Sequence, residues 1–261
     1  MGENFHDVVD SKDFSVVNHN ARNFDAFRNF QEDLDKKFQT IEDRRAKEER
    51  LGNVRKWEEH LPKRWSGAKL SDMSKESSRK AKHILDREEA LCSFYVKGNP
   101  GVGKTYLSFA IVRECISLGL VTPSQVKVIS EESLLSILKM GFSGAERFDK
   151  FFSSNIALYF FDNVGMRKNY TVQETSMWEQ LIDHIYSKNL SAIFTSTTSA
   201  REFSDMLTSP AASKFGYLVD NHILVVDGES HEPELDGYTD DEMNNHEKEN
   251  RRIDGILSFG D

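Results

Sequence analysis

The chain of 261 residues has only two cysteines, Cys92 and Cys115, and both sit inside apolar stretches. That excludes a disulfide scaffold and a cysteine-based zinc site, and it suits a reducing compartment. Apolar runs of about eighteen residues or more are missing, which excludes a membrane-spanning helix. The start, MGENFHDVVDSKDF, lacks the apolar core of a secretory leader, so a cytoplasmic location is expected, in a host cell if the chain is phage-encoded. The eight histidines show no ligand spacing such as H-E-x-x-H, and no G-x-S-x-G elbow is present. Zinc-protease and serine-hydrolase chemistry are thereby set aside.

Acidic side chains outnumber basic ones, 43 to 34, for a net charge of −9. The excess is local. Residues 228–261 hold 11 acidic and 3 basic side chains, a net of −8, which leaves −1 for the rest. Residues 44–82 hold 13 basic and 6 acidic side chains, a net of +7. An acidic chain can therefore still present a basic face to a phosphate backbone. The terminal block reads as an acidic, flexible tail, with one further helix conceivable from Asp240 to Leu257.

Residues 1–20 show no regular period. From 21 to 60 the sequence reads as a charged helix or helical pair, with Phe24, Phe27, Phe30, Leu34, Phe38 and Ile41 as an apolar stripe. Pro62 ends it. A helix is expected over 73–90, then strands at 91–97, 125–130, 155–162, 190–196 and 222–227. The helices 104–118, 131–140, 173–188, 200–207 and 210–219 fall between and around them. Strands alternating with helices predict a doubly wound parallel sheet. The expected domains are a helical extension (1–60), a nucleotide-binding domain (61–227) and the tail (228–261).

The chemistry concentrates at Gly98-Asn99-Pro100-Gly101-Val102-Gly103-Lys104-Thr105, which fits G-x-x-x-x-G-K-[ST] between a strand and a helix. Glycines permit the tight path that aims backbone N–H groups at phosphate oxygens, and the following helix adds its N-terminal dipole. Lys104 would reach the β- and γ-phosphates, and Thr105 would place its hydroxyl on Mg²⁺. Asp162, ending the apolar run Tyr159-Phe160-Phe161, is the expected second metal carboxylate. Hydrolysing P-loop enzymes of the additional-strand class usually have Glu next. Asn163 stands there instead, and an amide can orient a water but cannot take its proton. The guanine-reading N-K-x-D sequence is absent, which favours ATP. Trp65, beside Lys63 and Arg64, is the one tryptophan that reads as a possible base-stacking surface.

The stretch from Leu61 to about Gly228 resembles the DnaC/IstB branch of AAA+ ATPases, which are replicative helicase loaders and transposition helpers. The likeness is carried by SFYVKGNPGVGKTYLSFAI (93–111), VISEESLLSILK (128–139), FFDNVG (160–165), AIFTSTT (192–198) and the lead-in LPKRWSGAKLSDM (61–73). It implies a five-stranded AAA+ sheet, an ATP·Mg²⁺ site facing a neighbouring copy in a homo-oligomer, contact with single-stranded DNA, and an N-terminal element that grips a hexameric helicase. It puts Thr197, with Thr198 as the alternative, at the polar sensor of the γ-phosphate. Lys214 stands where the family usually has an arginine finger, and a lysine lacks the planar fork. A Ser-Tyr-Arg-like second sensor is not found after the last strand. Together with Asn163, these departures imply weak or slow hydrolysis. The expected function is a helicase-loading ATPase in DNA replication. The alternatives are a transposition helper of the same fold, or a nucleotide-binding adaptor that sequesters a partner.

Overall fold

The computed structural model describes residues 11–88, 90–138, 152 and 155–228. The chain divides into two compact units, Met1–Glu49 and Arg50–Asp261. Helix α1, Ser11–His60, supplies every described residue of the first. Its start differs from expectation, because Ser11–Asn20 is helical rather than irregular. Phe14, Val17, Ala21 and Phe24 already follow three- and four-residue spacing, and the polar run Asn18-His19-Asn20 hides it. Once a helix exists, each further residue adds a hydrogen bond at little cost, so weak formers are carried along. Phe38 and Ile41 of the stripe are exposed.

The second unit begins inside the same helix, and Val54 and Trp57 are buried in its core. The lead-in follows as α2 (Lys63–Ser66) and α3 (Lys75–Glu88). The remaining elements are β1 (Phe94–Gly98), α4 (Lys104–Leu118), β2 (Val126–Ser130) and α5 (Glu131–Leu138). After them come β3 (Leu158–Asp162), α6 (Val172–Ser187), β4 (Ser191–Ser196), α7 (Ala200–Ser204), α8 (Ser209–Val219) and β5 (Ile223–Val226). The ends lie within a few residues of those expected. Helix α4 stops at Gly119, whose φ of 78° lets the Leu120 N–H reach back to the Cys115 carbonyl. Helix α6 starts at a reciprocal cap between Thr171 and Glu174.

The five strands form one parallel sheet in the order β2-β3-β4-β1-β5. Strand β4 lies between β1, which carries the glycine loop, and β3, which carries Asp162. This is the additional-strand arrangement of the AAA+ class. Alternation along each strand sorts side chains to two faces. Phe94, Val96, Phe160, Ile193 and Leu224 pack with α4 and the lead-in. Tyr95, Phe161, Phe194 and Ala192 pack with α6, α7 and α8. The expected acidic tail and its helix over Asp240–Leu257 lie outside the described residues, as does the position of a second sensor after β5.

Candidate functional site

The glycine loop joins β1 to α4 at the carboxyl end of the sheet. Gly101 and Gly103 have φ of 76° and 95°, the left-handed path that glycine adopts without strain. Gly98 is needed for a different reason: a Cβ there would stand 2.5 Å from the Val226 carbonyl and 2.8 Å from Val102 Cγ2. Loop and last strand approach too closely for any side chain. Lys104 is buried, and its ammonium donates to the Asn99 carbonyl at 2.8 Å. The cation thus lies folded over the loop that would hold phosphate.

Thr105 and Asp162 are far apart in sequence and adjacent in space. Thr105 Oγ1 donates to Asp162 Oδ1 at 2.9 Å. The strand period explains the meeting: Asp162 shares the parity of Phe160 and so faces α4. A hydroxyl-to-carboxylate bond of this kind contributes about 1.5–3 kcal/mol. One hydroxyl and one carboxylate oxygen form a hard donor pair suited to Mg²⁺, which keeps waters and phosphate oxygens for its other positions. Among the described residues no group of three or more His, Cys, Asp or Glu could hold a metal. The Thr105–Asp162 pair fits a metal whose remaining positions a nucleotide's phosphate oxygens and waters would fill.

Asn163 follows Asp162 with φ of 58° and an exposed side chain. Asn tolerates this conformation, whereas most residues lose about 1–2 kcal/mol in it. The backbone here asks for Asn, independently of any role in handling water. Just beyond, Gly165 (φ 72°) and Met166 present their N–H groups to the carboxylate of Glu131, at 3.3 and 3.2 Å. The Tyr170 hydroxyl donates to the same carboxylate and accepts from the Gly165 N–H. Glu131 is 3% exposed, and burial pushes its carboxyl above the ordinary range despite these bonds. This cradle fixes the segment behind Asp162. Glu131 lies in VISEESLLSILK (128–139), where it opens the helix after β2, and the sequence reading gave it no role.

The polar end of β4 is more divided than expected. Thr195 bonds Asp162 Oδ1 at 2.5 Å and accepts from the Asn163 N–H at 2.8 Å. Ser196 turns to the opposite face and donates to the Val164 carbonyl at 2.6 Å. Thr197 contacts Met166 Sδ at 3.7 Å, and Thr198 pairs with Ser196 at 2.9 Å. Thr195 is the member of this run that bonds the Asp162 carboxylate here, and sequence reasoning passed over it. Its signal was parity: Thr195 shares the α4 face with Asp162.

Lys214, on α8, makes an ion pair with Asp183 on α6, and this contact holds the Asp183 carboxyl below its ordinary range. Both partners are partly exposed, so the pair is worth about 0.2–1 kcal/mol and little opposes its opening. Trp65 is not a free stacking surface. Its ring packs on Phe109 at 5.0 Å, and the Arg64 guanidinium sits 3.8 Å from its centroid. The lead-in also reaches the glycine loop: Asp72 accepts from the Tyr106 hydroxyl at 2.8 Å, and Met73 Cε lies 3.6 Å from where a Gly103 Cβ would stand.

No protein-family model matches the sequence, and the comparison with curated proteins gave no match. Solved structures do match. The crystal structure of DnaI aligns with 65% of this chain and 93% of its own at 21% identity, with a TM-score of 0.52. A protein described as a primosome component from Streptococcus pyogenes serotype M3 gives 20% identity and a TM-score of 0.52, over 67% of this chain and 97% of its own. The crystal structure of the DnaC helicase loader gives 18% identity and a TM-score of 0.50, over 64% and 100%. The resemblance seen in the motifs thus holds at the level of the fold: the chain has the AAA+ architecture of the DnaC/IstB type.

Proposed function

On the premise of that AAA+ fold, we propose that the chain is an ATP-binding helicase loader. It would help place a hexameric replicative helicase on single-stranded DNA in the cytoplasm, with weak or slow ATP hydrolysis. The observation that carries this reading is the Thr105–Asp162 contact at 2.9 Å, which joins the glycine loop to β3 in a loader-type fold. The Gly98–Thr105 backbone would cradle the phosphates. Lys104 would exchange the Asn99 carbonyl for a phosphate oxygen, and Thr105 with Asp162 would hold Mg²⁺. The metal would supply charge neutralisation along the phosphates. Asn163 would orient water without accepting its proton. Thr197, or Thr198, would meet the γ-phosphate, and Lys214 would leave Asp183 for the site of a neighbouring copy in a homo-oligomer.

Exposed Lys63, Lys69, Lys75, Arg79 and Lys82 of the second unit supply candidate contacts for a phosphate backbone. The extension 1–60, with its exposed Phe38 and Ile41, would grip the helicase. A second reading is a nucleotide-stabilised adaptor that sequesters a partner. It is favoured by the left-handed Asn163 and by the pairing of Lys214 within its own subunit. The test is a pull-down of replicative helicase from the same source with ATP, with ADP and with neither. ATP-dependent capture, lost on removal of residues 1–60, supports the loader. Capture of a transposase instead supports a transposition helper, and capture indifferent to nucleotide supports the adaptor.

A further inference from the structure

Thr195 lies in the AIFTSTT segment (192–198), where the family resemblance gives a role to Thr197 or Thr198 and none to Thr195. Its side chain is fully buried, at 0% exposure, near the carboxyl end of β4, the strand between β1 and β3. Its hydroxyl has one proton to give. The Asn163 N–H donates to Thr195 Oγ1 at 2.8 Å, and an ionised carboxylate can only accept. The proton on Thr195 therefore goes to Asp162 Oδ1, 2.5 Å away. The result is a one-way chain from the Asn163 backbone through Thr195 to Asp162.

Asp162 Oδ1 is thus held by two hydroxyls, from Thr105 and Thr195. Rotation of a carboxylate about its last torsion is soft, so such bonds decide its aim. The two holders differ. Thr105 is a candidate metal ligand, and a metal would redirect its hydroxyl. Thr195 is buried on β4 away from that role and keeps its bond in either state. The same bond also pins the N–H of Asn163, so the aim of Asp162 and the left-handed turn after it share one support.

We propose that Thr195 is a positioning residue that sets the metal dependence of nucleotide binding, by fixing the Asp162 carboxylate when Thr105 turns to the metal. The inference rests on the reading of Thr105 and Asp162 as an ATP·Mg²⁺ site. A hydroxyl serving only to satisfy buried polar atoms would affect folding and leave the metal dependence unchanged.

The experiment measures the affinity of the full chain for a fluorescent ATP analogue, in excess Mg²⁺ and in EDTA. It compares wild type with Thr195→Val and Thr195→Ser. Outer-shell partners of metal ligands typically carry 10–100-fold in affinity, so Thr195→Val is expected to weaken Mg²⁺-supported binding on the order of tenfold and EDTA binding by less than about twofold. Thr195→Ser keeps the hydroxyl and is expected to stay near wild type. Equal loss in both conditions, or no loss, overturns the proposal. Thr195→Ala is read in the same way should the valine protein fail to fold. A wild-type chain that binds no nucleotide overturns the site reading itself, a different outcome from a Thr195 variant that behaves as wild type.

Discussion

The two faces of the sheet are built from alternate residues of the same strands and do different work. On the α4 face, Phe160 is followed by Asp162, and Ile193 by Thr195, so apolar packing gives way at the carboxyl end to hydroxyls and a carboxylate. On the other face, Phe161, Phe194 and Tyr95 meet Trp178, Phe203 and Phe215 in close aromatic contact, such as Phe161–Trp178 at 5.4 Å and Phe203–Phe215 at 5.1 Å. One face carries the candidate site at its rim, and the other carries the aromatic packing beneath it. The comparison teaches that a single-residue step along β3 or β4 separates scaffold from site. Polar groups at the scaffold rim, Glu131 and Ser196, bond backbone and hold the segment behind Asp162 from below.

Mutations on the two faces should separate stability from binding. Trp178→Ala strikes the aromatic face, and loss of such a side chain costs about 3–5 kcal/mol, which lowers the melting temperature by about 10 °C. Calorimetric unfolding checks this, and the folded fraction should still bind nucleotide. Lys104→Ala strikes the other face. It should weaken ATP binding by about 10–100-fold, the worth of a charged hydrogen bond, with little change in melting. Gly98→Ala probes the seam with β5, where the added methyl meets the Val226 carbonyl; crowding of this kind costs about 1–3 kcal/mol in chemical denaturation.

Smaller effects should sharpen the role of the turn. Asn163→Val forces a branched residue to φ of 58° and should cost about 1–2 kcal/mol, whereas Asn163→Gly should be nearly neutral. Asn163→Glu should raise ATP turnover in steady-state assays if the missing general base limits hydrolysis, even with that strain. The least effect is expected for Glu131→Gln. Burial raises the Glu131 carboxyl above its ordinary 4.5 in the folded state, so the native chain holds that proton more tightly than the unfolded one. Its contribution to stability is whole below 4.5 and falls away as pH rises through the raised value. Wild type should lose stability over that window relative to Glu131→Gln, as read in denaturation curves across pH.

The alternation of strands and helices, the five strands and the glycine loop were legible because each rests on local periodicity or a fixed spacing. Asp162 was legible because an apolar strand ending in a carboxylate is a local signal. Thr195 was not. Four hydroxyl residues in a row from Thr195 to Thr198 look alike in sequence, and the pairing of Phe161 with Phe194, which sets Asp162 beside Thr195, shows which hydroxyl reaches the carboxylate. Glu131 was missed because its partners lie 34 to 39 residues away. Asn163 was read for its chemistry, and its backbone conformation adds a second reason for its presence. The helix before Ala21 was hidden by a polar interruption, which helical cooperativity overrides.

The central claim is that the rim of the α4 face is an ATP·Mg²⁺ site, and a calorimetric titration tests it most directly. ATP with Mg²⁺ would be titrated into the full chain and into Lys104→Ala. The account predicts saturable binding by wild type and loss of about 10–100-fold in affinity in the variant. Undiminished binding by Lys104→Ala, or none by wild type, would contradict it.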